Sequence, residues 1–188
     1  DPTSVFRSGD RVRVLIETNA DGYLYIFNTT DDGKPVMIYP SAELDEGGNY
    51  IQSHVPFEIP SAVGEVERLK WLTFDRQAGA ERLFFVYTRE PLKAVPTEDD
   101  LIKYCQENAS NCPIQPNPDL WAQIQGESKA PLQVAKTQNY GRAQTSSEHL
   151  ASTRGIGLSS DDPEPSLVMM TSSANTAMLV AVLELIHK

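Results

Sequence analysis

Between Phe6 and Pro40 the chain alternates apolar and polar positions in short bursts separated by turn-forming residues, a rhythm that predicts three successive β-strands. In residues 11–17, Val12, Val14 and Ile16 fall on one face and Arg11, Arg13 and Glu17 on the other, the two-residue period of a half-buried strand. The arginines are therefore expected on its solvated face. Asn19, Ala20, Asp21 and Gly22 follow, and Gly22 accepts a positive φ without a Cβ penalty, so a direct reversal into residues 23–27 is expected, making a hairpin. The second strand, Tyr23-Leu24-Tyr25-Ile26-Phe27, is apolar or aromatic at every position. That suits a central strand covered on both faces, or one with a core face and an aromatic outer face. Asp31, Asp32 and Gly33 turn the chain into residues 36–39, where Pro40 ends the strand because it has no N–H to give to a ladder.

Residues 67–74 and 83–88 are two further apolar runs with Gln77, Ala78, Gly79 and Ala80 between them, and they predict another hairpin. Thr97 then stands as an N-cap before Glu98, Asp99 and Asp100, whose charges suit the positive end of a helix over 98–108, although a capping box has Glu or Gln where Asp100 stands. That helix gathers Leu101, Ile102, Tyr104 and Cys105. A second, over 118–125, would bury Leu120, Trp121 and Ile124. The pair is expected over one end or edge of the sheet. Residues 126–165 are polar and lack any sustained hydrophobic period, so they are expected to form an irregular arm, with 146–153 as the one place for a short helix. Apolar character returns at 166–171 and 178–187. The last segment contains good helix formers, but its apolar residues alternate onto both faces and residues 172–175 suit a hairpin loop, so a strand is expected. At 188 residues the chain is long enough for one core. The reading is one mainly-β domain over 1–188, a β-sandwich of antiparallel strands: N-terminal strands over 4–96, a helical insertion over 97–125, the irregular arm over 126–165 and C-terminal strands over 166–188.

Gly9-Asp10-Arg11-Val12, the run from Gly22 to Phe27 and the pair Tyr39-Pro40 resemble a family of bacterial domains of unknown function. Such domains open on a GD-x-V strand, continue with a GYLYIF-like strand and close the third strand on an aromatic-Pro pair. Residues 55–60 and 79–86 look like the family's later strands, so the resemblance covers about the first half of the chain. Such domains occur alone or attached to serine/threonine kinases and caspase-like peptidases, and no activity is established for them. The resemblance implies an accessory, interaction-mediating module and supplies no catalytic residues.

Sixteen basic residues against 26 acidic give a formal charge of −10. That sign repels phosphate backbones and anionic lipid, so nucleic-acid and membrane-surface partners are not expected. No run of about 18 apolar residues exists to span a bilayer. Cys105 and Cys112 are the only cysteines, close in sequence and followed by Pro113 and Pro116. Two readings stand: a disulfide, or two unrelated thiols, one of them on a helix. The even count, with family members seen outside the cytoplasm, makes the bridge the expectation, and with it a periplasmic or secreted location. Closing so short a loop would contribute about 2–3 kcal/mol on the chain-entropy model.

No cofactor or metal is expected. Two sulfurs and the scattered His54, His149 and His187 do not make a zinc set. Gly155-Ile156-Gly157 lacks the Lys and the preceding strand of a phosphate loop. Asp31-Asp32-Gly33 and Asp45-Glu46-Gly47-Gly48-Asn49 lack the spacing of a calcium loop and read as turns. No Gly-x-Ser-x-Gly elbow presents a nucleophile, and Cys105 with His149 reads as structural rather than as a catalytic pair. The better hint is aromatic. Tyr23, Tyr25, Tyr39, Tyr50 and Trp71 lie on or beside expected strands, where an outward group would make an amphipathic contact patch, although core or cross-strand packing is the stronger reading of strand aromatics. The expectation is a non-enzymatic binding module for a protein or envelope component, reached by an exposed sheet face or an edge strand. The alternatives are a hydrolase whose carboxylates are assembled by the fold, and a structural spacer.

Overall fold

A computed structural model describes residues 5–60, 71–109, 112–129, 133–135, 169–171 and 177–188. In chain order its strands and helices are β1 (Val5–Phe6), β2 (Arg11–Val12), β3 (Val14–Ile16), β4 (Gly22–Thr30), β5 (Val36–Tyr39), β6 (Tyr50–Ile51), β7 (Phe57–Ile59), β8 (Leu72–Thr73), β9 (Gly79–Thr88), α1 (Glu98–Glu107), α2 (Pro118–Glu127), β10 (Gln133–Ala135), β11 (Met169–Thr171) and β12 (Met178–His187). The principal sheet runs β1-β12-β9-β4-β5, with β6 pairing the start of β4 beyond β5. Every pair in it is antiparallel except β1 with β12. Three short ladders complete the described strands: β2 with β8, β3 with β7, and β10 with β11.

The mainly-β class read from the sequence is the class adopted, and β4 is the fully covered central strand that its composition implied. Leu24, Tyr25, Ile26 and Phe27 are all buried because alternate side chains enter different cores. Tyr25 and Phe27 join Met37, Phe84, Val86, Met178 and Val180 on one face, where Leu101 of α1 and Leu120 and Ile124 of α2 close over them. Leu24 and Ile26 join Leu83 and Leu185 on the other, under Ile59 of β7, with Ile16 and Phe57 packed alongside. The two helices thus cover a face of the sheet, not its end or edge. Among the described residues the strands outside the principal sheet form short two-stranded ladders and not a second continuous sheet.

Three expected hairpins give way to longer-range pairings. β3 pairs with β7 rather than β4, in the register Val14 to Ile59 and Ile16 to Phe57. β8 pairs with β2 rather than β9, and β11 with β10 rather than β12. The reason is occupancy. A strand has two edges, and β4 gives one to β9 and the other to β5 and β6; β9 lies between β4 and β12, and β12 between β9 and β1. That leaves β4 and β9 no edge for the sequence neighbour, while β1 takes the end of β12 at Ile186 and His187. Gly22 does not take a positive φ either; among the described residues the glycines that do are Gly9 and Gly47. The Asp31-to-Gly33 turn does join β4 to β5 as read, and residues 178–187 are a strand. Most of the expected irregular arm, its 146–153 segment, residues 67–70 and the 172–175 loop lie outside the described residues.

Helix α2 starts sharply because Pro118 takes its first turn and the Asn117 side chain accepts the Leu120 N–H at 2.8 Å. Thr97 is the N-cap of α1, without a side-chain capping bond. Cys105 on α1 is bridged to Cys112, with 5.2 Å between their Cα atoms. Two residues on, the Ile114 carbonyl accepts the Met37 N–H at 2.8 Å and occupies part of the outer edge of β5. The bridge therefore ties α1 to the segment that covers this edge.

Candidate functional site

At the end of the sheet where β4 begins, two connections are sewn together. His54 N–H donates to the Thr18 carbonyl at 2.8 Å, and Asp21 reaches across with both carboxylate oxygens. Asp21 Oδ1 accepts the Ser53 N–H at 2.8 Å, and Oδ2 accepts the Tyr50 hydroxyl at 3.1 Å. Tyr50 lies opposite Tyr23 in the β4–β6 register, and their rings stand 5.5 Å apart at 66°. From the neighbouring strand β9, the Tyr87 hydroxyl bonds the Ala20 and Asp21 carbonyls, each at 2.8 Å. Buried Asn49 fixes β6 from behind, its side chain donating to the Leu24 carbonyl at 3.1 Å while its own carbonyl accepts the Leu24 N–H.

This arrangement presents a held aromatic ring beside a held charge. Tyr50 is 50 % exposed, which places a large amphipathic ring in solvent instead of in the core. The Ser53 backbone N–H holds the exposed Asp21 carboxyl below its ordinary range, with the Ser53 side chain and Tyr50 adding to the effect. The bond to Asp21 in turn pushes the Tyr50 phenol up. Asp21 is therefore a fixed anion at neutral pH, opposite in tendency to a carboxylic acid poised to give up a proton.

Of the five aromatic residues read as a contact patch, the structure brings Tyr23 and Tyr50 together. Tyr25 is fully buried, its hydroxyl accepting the Leu92 N–H at 2.9 Å, and burial raises its pKa. Tyr39 is buried in the opposite core against Phe57. Both are packing residues. Trp71 lies elsewhere, half-buried, with the Arg13 guanidinium centred 3.7 Å over its ring and that of Arg11 at 5.1 Å. Arg13 is consequently not a solvated residue: its side chain is 10 % exposed and meets Glu58 at 3.5 Å. Tyr87 and Asp21 were not singled out by sequence reasoning. Asp21 passes for a turn residue, and Tyr87 becomes relevant only through the β4–β9 register.

The remaining candidates have structural roles. Asp31 Oδ1 accepts the Ala80 N–H at 2.9 Å, and Arg82 binds the Asp31 carbonyl and Glu184 at 2.8 Å each. Cys105 is bridged and so is no thiol nucleophile. His54 lies 3.8 Å from Glu17, and buried His187 packs beside Phe74 with Ser8 Oγ 3.4 Å from its Nε2. His149 and residues 155–157 lie outside the described residues. Among the described residues no three His, Cys, Asp or Glu side chains converge as a metal ligand set, and no helix is long and apolar enough to cross a membrane.

Residues 5–91 match the model of a family described as Domain of unknown function (DUF4384). The DUF4384 segment begins at β1 and ends just beyond β9, so it contains Asp21, Tyr23, Tyr50 and Tyr87. Both helices, the disulfide and β12 lie after it, although β12 completes the sheet that the segment builds. No curated protein and no solved structure matches the chain.

Proposed function

We propose that this protein is a non-enzymatic accessory interaction module that works outside the cytoplasm and contacts a protein or envelope component through the tyrosine corner at the start of β4. The observation that carries this reading is the exposed Tyr50 ring, positioned by Tyr23 and by the Asp21 carboxylate. A side chain fixed on both sides loses little rotamer freedom on docking, which is what favours tyrosine in contact surfaces. The Cys105–Cys112 bridge supports an oxidising compartment.

The test is site-specific photo-crosslinking in the producing cells. A photoreactive phenylalanine at position 50 should give a defined adduct, identifiable by mass spectrometry. The same group at the exposed Lys103 on α1 should not. Equal labelling from both positions, or none from position 50, would remove the assignment of this corner as the contact.

A further inference from the structure

We propose that the corner formed by Tyr23, Tyr50 and Asp21 receives an organic cation presented by a partner protein, an arginine or lysine side chain. This rests on the interaction-module reading and names the chemistry of its contact. The rings meet edge to face at 66°; Tyr23 packs against the core, and Tyr50, half exposed, offers ring surface of negative quadrupole density. The Asp21 carboxylate lies beside it, bonded to the Tyr50 hydroxyl. It takes donors from the Ser53 backbone N–H, the Ser53 side chain and the Tyr50 hydroxyl, and a carboxylate has about four acceptor positions in all, so capacity for a cationic N–H remains.

Among the described residues no Lys or Arg pairs with Asp21, whereas the acidic turn at the other end of β4 is already met by Arg82. Among the described residues the corner is therefore a charged aromatic site without a Lys or Arg counter-ion. A net charge of −10 adds long-range attraction for a basic partner and disfavours an anionic one. An uncharged glycan would use the rings but would gain nothing from the ionised Asp21, so the charge distinguishes the two occupants.

The experiment is an NMR titration of the whole chain with the blocked amides of arginine and lysine. Blocked citrulline serves as the uncharged isostere and an N-acetylglucosamine oligomer as the glycan. The two cations should shift the signals of Asp21, Tyr23 and Tyr50 saturably, weaken with added salt, and outcompete citrulline. Y50L and D21N should each weaken the cations by about threefold or more, while Y50F, which keeps the ring, should retain more binding than Y50L. Citrulline or the glycan binding as well as the cations, or cation binding unchanged in Y50L and D21N, would overturn the proposal. A crosslink from position 50 combined with no cation response would sink this inference and leave the interaction-module reading standing. Failure of the crosslink would remove that reading itself.

Discussion

The ring of Tyr87 lies where a side chain on Gly22 would have to begin: a Cβ built there would meet the Tyr87 ring at 2.6 Å and the Thr88 carbonyl oxygen at 2.5 Å. Gly22 is thus required for close approach and not for its backbone angle. The space it leaves lets Tyr87 pass beneath the first residue of β4 and bond the carbonyls of Ala20 and Asp21. Gly22→Ala should destabilise the fold by about 1–3 kcal/mol, as overpacking does, because one obstacle is backbone and the other a bonded ring. Gly9→Ala makes the contrast. Nothing lies within 4 Å of its Cβ position, but its φ is +90°, so it should cost about 1–2 kcal/mol through conformation alone. Urea midpoints check both, and only Gly22→Ala should also displace the NMR signals of Asp21 and Tyr50. An unchanged midpoint for Gly22→Ala would contradict the packing described.

Helix α2 holds its place through few large side chains. Ile124 is fully buried in the same core as Phe27 and Phe84, and Trp121 packs its ring against both. Ile124→Ala should cost about 2–5 kcal/mol, whereas exposed Gln125→Ala should change stability by under about 0.5 kcal/mol. Chemical denaturation measures the difference. If the helices rested on an edge of the sheet and not on its face, the two substitutions would differ little.

What the sequence disclosed and what it withheld divide along a physical line. Alternation reports which face a side chain takes, and where a strand is apolar at every position it reports cover on both faces. Leu24 to Phe27 were legible for that reason, and so were the Asp31-to-Gly33 turn, the two helices and β12. Alternation does not report the neighbouring strand. Val14 finds Ile59 and Leu24 finds Tyr87 across long stretches of chain, and nothing local in either segment encodes that choice. The candidate site suffers the same limit. Tyr23 and Tyr50 were named among aromatic residues, but Asp21 and Tyr87 join them only through the registers of β6 and β9. Arg13 shows a further gap, since a polar position in an alternating strand reads as solvated, yet a planar guanidinium stacks on Trp71 with little exposure.

The disulfide links stability to the edge of the sheet. Cys105 and Cys112 are seven residues apart, and on the chain-entropy model replacing both by Ala should cost about 2–3 kcal/mol. Because Ile114 follows the bridge and accepts the Met37 N–H, that amide should exchange faster in the double variant, while amides inside β9 keep their protection. Thiol titration of the denatured, unreduced protein from its native source should find essentially none. Two free thiols per chain in that material would withdraw the support for an oxidising compartment.

Asp21 gives the tyrosine corner an acid limit whose sign is fixed by its bonds. Its carboxyl is held below the ordinary value of 3.8, first by the Ser53 backbone N–H, then by the Ser53 side chain and Tyr50. The folded state therefore prefers the ionised form. The stabilisation from these bonds is complete above the unfolded value and is lost as pH falls from there through the lower folded value. Asp21→Asn should lower the urea midpoint at neutral pH and flatten its dependence on pH in the acid limb, so that the two proteins converge at the lowest pH where both remain folded. The same substitution has an alkaline signature. Tyr50 is raised above the ordinary 10.0 chiefly by its bond to Asp21, so phenolate formation at Tyr50, followed by the ring signals of that residue, should move to lower pH in the variant. Parallel acid limbs and an unmoved Tyr50 titration would mean that Asp21 does not hold the ring in solution.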